Sequence, residues 1–227
     1  MLTTADIIRL LDEGELHRVL LALLDAQSSG AKEVADVIAP LLTHPDPLIR
    51  RAAESILTRD ESGMRIQANA IVKALSELVM PVVAALVGPD GPAHVEALRP
   101  RDDDYSSVFD GAIVSPVRSA YEPLWRTTPK LERPVPGALT VRVDAAPAGM
   151  LREDNELSRR FPGGYRALAP HLRPEPIWFV WQYLRPGESA GMRYDGLVRL
   201  PDRWVWFPKP YRIVREILRP EVSEPKD

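Results

Sequence analysis

A chain of 227 residues is long enough for one substantial domain or two small ones, and 45% hydrophobic with 27% charged residues excludes wholesale disorder. The net charge of −3 sets no strong bias towards an anionic or cationic partner for the chain as a whole. Cysteine is absent, which excludes disulfides, thiolate nucleophiles and cysteine-containing zinc sites.

The first residues, MLTTADIIRLLDEGEL, carry Asp6, Asp12 and Glu13 where a secretion signal needs a basic start and an uncharged apolar run, so a cytoplasmic location is expected. Apolar residues then recur at helical spacing. Glu15 to Ala26 reads as a helix with Leu16, Val19, Leu20, Leu23 and Leu24 on one stripe, and Ala31 to Leu42 repeats the pattern with Val34, Val37, Ile38 and Leu41. A third helix is announced by Asp46 as its cap and Pro47 at its first position, with Ile49, Ala52, Ala53 and Ile56 facing inward.

The run His44-Pro45-Asp46-Pro47-Leu48-Ile49-Arg50-Arg51-Ala52-Ala53 resembles the inter-helix turn and second helix of a HEAT repeat, and the likeness spans roughly residues 31–57. That resemblance implies a protein-binding surface rather than chemistry. Only one such copy is present, whereas a solenoid needs about three to bury its faces, and an ordinary helical hairpin in a small bundle fits the same residues.

Beyond a polar connection at residues 59–63, a further helix starts at Met64 or Arg65. Ile71, Leu75, Leu78, Val82 and Leu86 form its main stripe, and Val72, Val79 and Val83 widen it. The apolar segment Ala70 to Val87 contains Lys73, Glu77 and Pro81, so it reads as a buried helix rather than a membrane span. Gly88-Pro89-Asp90-Gly91-Pro92 ends it. Asp102, Asp103 and Asp104 read as a solvated acidic loop, the alternative being a hard-cation site. Ser115 to Trp125 reads as a short helix capped by Ser115.

The second half holds most of the 23 prolines, about twice the usual share of ~5% for the chain. Leu139 to Val143 is a strand by alternation, closed by Ala145 to Gly149. Arg152 to Arg160 is a short helix or loop, and Phe161 to Tyr165 a turn. Ile177 to Leu184 is a strand with apolar residues on both faces. Met192 to Leu200 and Trp204 to Phe207 form a hairpin about Pro201-Asp202-Arg203. Gly196 inside the strand marks a bulge. Alternation places Arg193, Asp195 and Arg199 on one, solvated face. Tyr211 to Leu218 is a short helix or an extended segment, and residues 221–227 are a tail.

These elements give an α+β fold, with HEAT-like helical hairpins followed by a mainly antiparallel sheet whose element order is compatible with a cone shape. The expected division is 1–62 helical, 63–103 buried helix and connection, 104–220 sheet domain and 221–227 tail. The candidate chemistry is thin. His17, His44, His94 and His171 have no metal-ligand spacing, there is no phosphate loop or nucleophile elbow, and Glu153, Asp154 and Asp195 are isolated acid or base candidates. No catalytic residue, metal or cofactor is assigned.

Charge is more informative. Between Arg159 and Pro220 twelve Lys or Arg stand against five Asp or Glu, a surplus of seven, which leaves −10 on the remainder of the chain. The expected partner surface therefore comprises Trp178, Trp181, Trp204, Trp206, Arg193, Arg199, Arg203, Lys209 and Arg212. Three functions follow: a non-catalytic protein-interaction or adaptor module, a small apolar ligand in a tryptophan-lined pocket of a binding protein or enzyme, or nucleic-acid binding by the basic C-terminal region.

Overall fold

A computed structural model describes residues 61–127, 140–152 and 157–219, together with 35–36, 38–45, 50, 53–54, 57–58, 129, 131 and 154–155. The helix expected at Glu15 to Ala26, the cap and first turn expected at residues 46–49, and the C-terminal tail lie outside the described residues. Within the HEAT-like stretch, Ala39–Thr43 is a 3-10 turn, Ile38 and Ala53 are buried, and the Arg50 guanidinium donates to the carbonyls of His44 and Pro45 at 2.6 and 2.8 Å.

Six helices and a four-stranded antiparallel sheet are present among the described residues, so the chain is α+β. The order is α1 (Glu61–Leu86), α2 (Gly91–Ala97), α3 (Asp102–Val108), α4 (Val114–Arg126), β1 (Thr140–Pro147), α5 (Gly164–Leu168), β2 (Ile177–Leu184), β3 (Met192–Arg199), β4 (Trp204–Trp206) and α6 (Pro210–Ile217). The strands form a meander in the order β1-β2-β3-β4. Among the described residues no helix is long and apolar enough to cross a membrane.

Helix α1 is apolar on much of its circumference, so periodicity alone does not choose its inward face. Val72, Leu75, Val79, Val83 and Leu86 are the buried stripe, whereas Leu78, expected in the main stripe, is 43% exposed. The sheet makes the choice: the Tyr183 hydroxyl donates to the Val83 carbonyl at 2.6 Å and fixes which side of the helix faces β2. Pro81 lies inside α1 on its exposed side, where the lost amide donor leaves no buried acceptor unsatisfied.

The acidic run is helical rather than a loop. Asp102, Asp103 and Asp104 occupy the first turn of α3, where the helix dipole favours negative charge, and the Asp104 carboxylate accepts the Arg101 amide at 2.7 Å. Helix α4 starts at Val114 after a 3-10 turn whose leading amide, Gly111 N–H, is capped by Asp110, so Ser115 is not the cap.

Strand β1 continues to Pro147, four residues past the expected end. The extension pairs Ala145, Ala146 and Pro147 with Phe179, Trp178 and Ile177, setting small residues opposite large ones. β2 is buried on both faces, with Gln182 alone half-buried. One face of the sheet carries Val143, Ala145, Phe179, Trp181, Tyr183, Tyr194, Leu197 and Trp206. The other carries Arg142, Asp144, Ala146, Trp178, Val180, Arg193, Asp195 and Val198.

The bulge in β3 decides that partition. Asp195 pairs with Val180 and Leu197 with Phe179, which leaves Gly196 as the extra residue, at φ +89°. Side chains beyond it change face, so Arg193 and Asp195 share one face and Arg199 lies on the other. The single solvated face expected for all three is not formed, and Asp195 is buried. The Phe207 amide donates to the Gly196 carbonyl at 2.8 Å, and the two backbones are in close contact. Phe207 is thereby set as an aromatic hub, with ring centroids of Tyr105, Phe109 and Tyr121 at 5.4, 5.1 and 5.6 Å. The chain then turns through Lys209 at φ +51° into α6, with Pro210 at its first position.

A β-carbon at residue 196 would meet the Phe207 carbonyl oxygen at 1.8 Å in a backbone conformation that disfavours side chains. Gly196→Ala is therefore expected to destabilise the protein by more than about 2 kcal/mol, read as a lowered urea midpoint. An unchanged midpoint would contradict this account of the bulge.

Candidate functional site

The four sheet tryptophans are core residues before they are anything else. Trp178 and Trp181 are 0% and 1% exposed, Trp206 is buried and Trp204 half-buried. Trp178 meets the edges of Phe109 and Tyr165 at 6.2 and 5.9 Å. Trp181 stacks on Tyr194 at 5.4 Å with 22° between the planes, and contacts Trp206 at 6.0 Å. Trp206 meets Trp125 of α4, and its indole N–H donates to the Asp195 carbonyl at 2.9 Å. Trp204 packs on Phe179 on its β2 side and lies under the Arg199 guanidinium, 5.4 Å from the ring centre. These contacts fill the sheet faces with aromatic packing.

The five basic residues of the expected surface are dispersed. Arg199 sits on Trp204 and donates to the Pro201 carbonyl at 3.3 Å. Arg203 is internal: its Nη1 lies 3.1 Å from Asp104 Oδ2, and its Nη2 donates to the carbonyls of Arg99 and Ala97 at 2.9 and 3.4 Å. The side chains of this ion pair are only 15% and 9% exposed, so it clamps the β3-β4 turn onto the start of α3 rather than facing a partner. Arg193, Lys209 and Arg212, in contrast, lie within range for their charges to act on Asp195.

Asp195 is a buried carboxyl. Burial pushes it up from the ordinary carboxylate range to about 6, while the Tyr165 hydroxyl at 3.2 Å and the charges of Lys209, Arg193 and Arg212 partly offset the shift. Tyr165 and Tyr121 are pushed well above the usual phenol range, by burial first and by the Asp195 charge second. The Tyr121 hydroxyl donates to the Pro208 carbonyl at 3.1 Å, so this tyrosine-carboxyl cluster pins β3 and the chain ahead of α6 to the helices.

An open cleft of about 220 Å³ adjoins it, lined by Arg142, Asp144, Arg159, Arg160, Gln182 and Arg193. The strand register builds it, because Arg142, Gln182 and Arg193 form one row across β1, β2 and β3, with Asp144, Val180 and Asp195 in the row below. The 3-10 turn Ser158–Arg160 brings Arg159 and Arg160 over these rows. That turn is held by Asn155, whose Oδ1 accepts the amides of Leu157 and Ser158 at 3.0 and 2.9 Å. Asp144 lies 3.9 Å from Arg142 and 3.8 Å from Arg160. Arg159 holds Asp154 by two contacts of 3.1 Å, and Arg166 reaches the same carboxylate at 3.2 Å. Asp154 is accordingly held below the usual carboxylate range, chiefly by the Arg159 hydrogen bonds. Of the expected site residues, Arg193 and Trp181 line the cleft, and the rest of its lining was not expected. Its sequence signal is the alternation Val141-Arg142-Val143-Asp144, which sets an arginine and an aspartate on one face.

A second cleft of about 490 Å³ lies between α3 and α4 and mixes Arg99 and Arg118 with Asp102 and Glu122. Among the described residues no three His, Asp or Glu side chains are grouped to hold a metal ion. Glu153 lies outside the described residues. No family model, curated protein or solved structure matches this chain.

Two outcomes are expected from these buried charges. Because the folded pKa of Asp195 lies above its unfolded value, its full stability contribution is present below about pH 4 and is lost as pH rises through about 6, by about 3 kcal/mol in all. Asp195→Asn keeps an acceptor for Tyr165 and should remove that decline, giving a variant more stable than the parent at pH 8 in urea titrations. Arg203→Ala leaves Asp104 buried without its cation and should cost about 3 kcal/mol or more by the same measurement; a loss under 1 kcal/mol would show that the clamp is not structural.

Proposed function

We propose that this chain is a non-catalytic binding module for another protein, and that the contact is electrostatic, made by the arginine-lined cleft on β1, β3 and the turn at Ser158–Arg160. The observation that carries this reading is the cleft itself: four guanidiniums line an open depression in which, among the described residues, Asp144 is the sole carboxylate. Arginine is the side chain best suited to this task, since its planar fork binds carboxylate and phosphate groups in two-point contacts. The HEAT-like hairpin over residues 31–57 points the same way, towards an adaptor.

The alternatives lose their main supports. A ligand pocket of the cone-fold type needs Trp178, Trp181 and Trp206 to line a cavity, and their rings pack against one another and against Phe109, Tyr165 and Tyr194. Single-stranded nucleic acid needs exposed aromatic faces for its bases. Trp204, the most exposed of the four, already carries Arg199 on its ring.

The charge-reversed double variant Arg142→Glu/Arg193→Glu changes two exposed residues and should leave folding intact. Proteins retained by the immobilised parent chain from its own cell lysate should be lost with this variant and released by salt at about 0.5 M, where the Debye length falls to roughly 4–5 Å. Capture that survives both treatments would refute the reading, and recovery of nucleic acid in place of protein would transfer it to that class.

A further inference from the structure

We propose that the second cleft, between α3 and α4, is a separate small-molecule site that receives a free α-amino acid, its carboxylate taken by Arg118 and Tyr105 and its ammonium by Asp102 and Glu122.

Two neighbouring helices build the wall. Asp102 and Tyr105 share one face of α3, and Arg118, Glu122 and Trp125 recur at helical spacing on one face of α4. Arg99, ahead of α3, is tied to both ends of this arrangement. It donates through Nη1 to Glu96 Oε1 at 2.8 Å and through Nη2 to the Trp125 carbonyl, with its guanidinium carbon 6.0 Å from the centre of the Trp125 ring.

The first argument is an unused hydrogen-bonding group. Tyr105 is 5% exposed, with its ring packed against Phe207 and Tyr121 at 5.4 and 6.4 Å. It nevertheless lines the cleft, and its hydroxyl has no hydrogen-bond partner among the described residues. Buried polar groups are nearly always paired, so a lone hydroxyl on a packed ring marks a place for an incoming acceptor. Burial first, and the Asp102 charge second, push this phenol up to about 12, so at neutral pH it keeps its proton and donates. Arg118 supplies further donors: its ion-pair partner Asp102 stands 3.8 Å away, beyond hydrogen-bonding distance. A guanidinium and a phenol hydroxyl donating together fit a carboxylate.

The second argument is the balance of charge. The described lining carries the guanidiniums of Arg99 and Arg118 and the carboxylates of Asp102 and Glu122. A simple anion would lie beside the carboxylates and a simple cation beside the guanidiniums, whereas a ligand bearing both charges meets an opposite charge at each end. Arg126 holds Glu122 through Oε1 alone, at 3.1 Å, so the other oxygen can accept from an ammonium.

The third argument is spacing. Arg118 Nη1 and Asp102 Oδ1 are only 3.8 Å apart, so the two ligand charges that they receive must also lie close together. A carboxylate and an ammonium on one carbon meet that requirement, and the two ends of a peptide do not. The volume, about 490 Å³, falls within the roughly 300–1,000 Å³ of small-molecule sites and leaves room for the ligand's own side chain along Pro100 and Trp125.

The test is an NMR chemical-shift titration of the full-length chain with each standard L-amino acid in turn. At least one should bind with a Kd below about 1 mM. Its N-acetyl derivative and its α-carboxamide, which each lack one of the two charges, should bind at least tenfold more weakly. The Arg118→Gln and Asp102→Asn variants should each weaken the parent ligand by a similar factor. Both changes fall on side chains that are 48% and 84% exposed, so the thermal midpoint is expected to stay where it is. No binding of any amino acid up to about 10 mM would overturn the proposal. Derivatives that bind as tightly as the parent amino acid would overturn the zwitterion assignment, and undiminished binding by either variant would overturn the location.

Discussion

The close approach of Gly196 to Phe207 is the contact on which the sheet domain is organised. A single extra residue in β3 reverses the side-chain parity of the strand, so Arg193 and Asp195 fall on one face while Leu197 and Arg199 belong to the other. The bulge also lets the Phe207 backbone lie against that of Gly196, with the amide-carbonyl bond at 2.8 Å. Phe207 can then gather Tyr105 of α3, Phe109 at the C-terminal cap of the same helix and Tyr121 of α4. A β-carbon at residue 196 would forbid this approach. The burial of Asp195 is a by-product of the same geometry, since the residue before the bulge is drawn beneath Tyr165.

Tryptophan and arginine divide the labour in this fold. The indoles fill the interior, where their large surfaces supply packing from both sides of β2, and four guanidiniums line the cleft beside the rows of β1 and β3. That division explains why the aromatic-and-basic stretch at residues 194–212 does not act as one binding motif. Trp206 is core, Arg199 covers Trp204, and Arg203 is consumed by Asp104, while the charges of Lys209 and Arg212 act on Asp195. The cleft gains its charge mostly from elsewhere, from Arg142 on β1 and from Arg159 and Arg160 on a short turn.

How far the sequence is legible depends on whether an element is determined by its own residues. β2 is: eight residues of apolar and aromatic character between prolines read as a doubly buried strand, and they form one from Ile177 to Leu184. Gly196 is also legible as a bulge. What cannot be read from the strand alone is its consequence for Arg199, because parity is defined only against the register of β2. The acidic run at Asp102 to Asp104 reads as solvated since its compensating cation, Arg203, lies far along the chain. Ala145 and Ala146 have little strand preference, and their pairing with Phe179 and Trp178 supplies what they lack. In the cleft, the Arg142 and Asp144 alternation is visible, but the arrival of Arg160 above it depends on a turn held by Asn155.

The Arg203 clamp has a kinetic meaning as well. Its bond to the Arg99 carbonyl joins positions 104 residues apart, one of the longest separations among the described residues. Closing so large a loop costs entropy that local contacts do not repay, and the clamp needs the β3-β4 turn and the first turn of α3 both in place before it can form. An interaction formed late in assembly is felt in how slowly the native state opens rather than in how fast it is reached, which is the behaviour expected of this clamp.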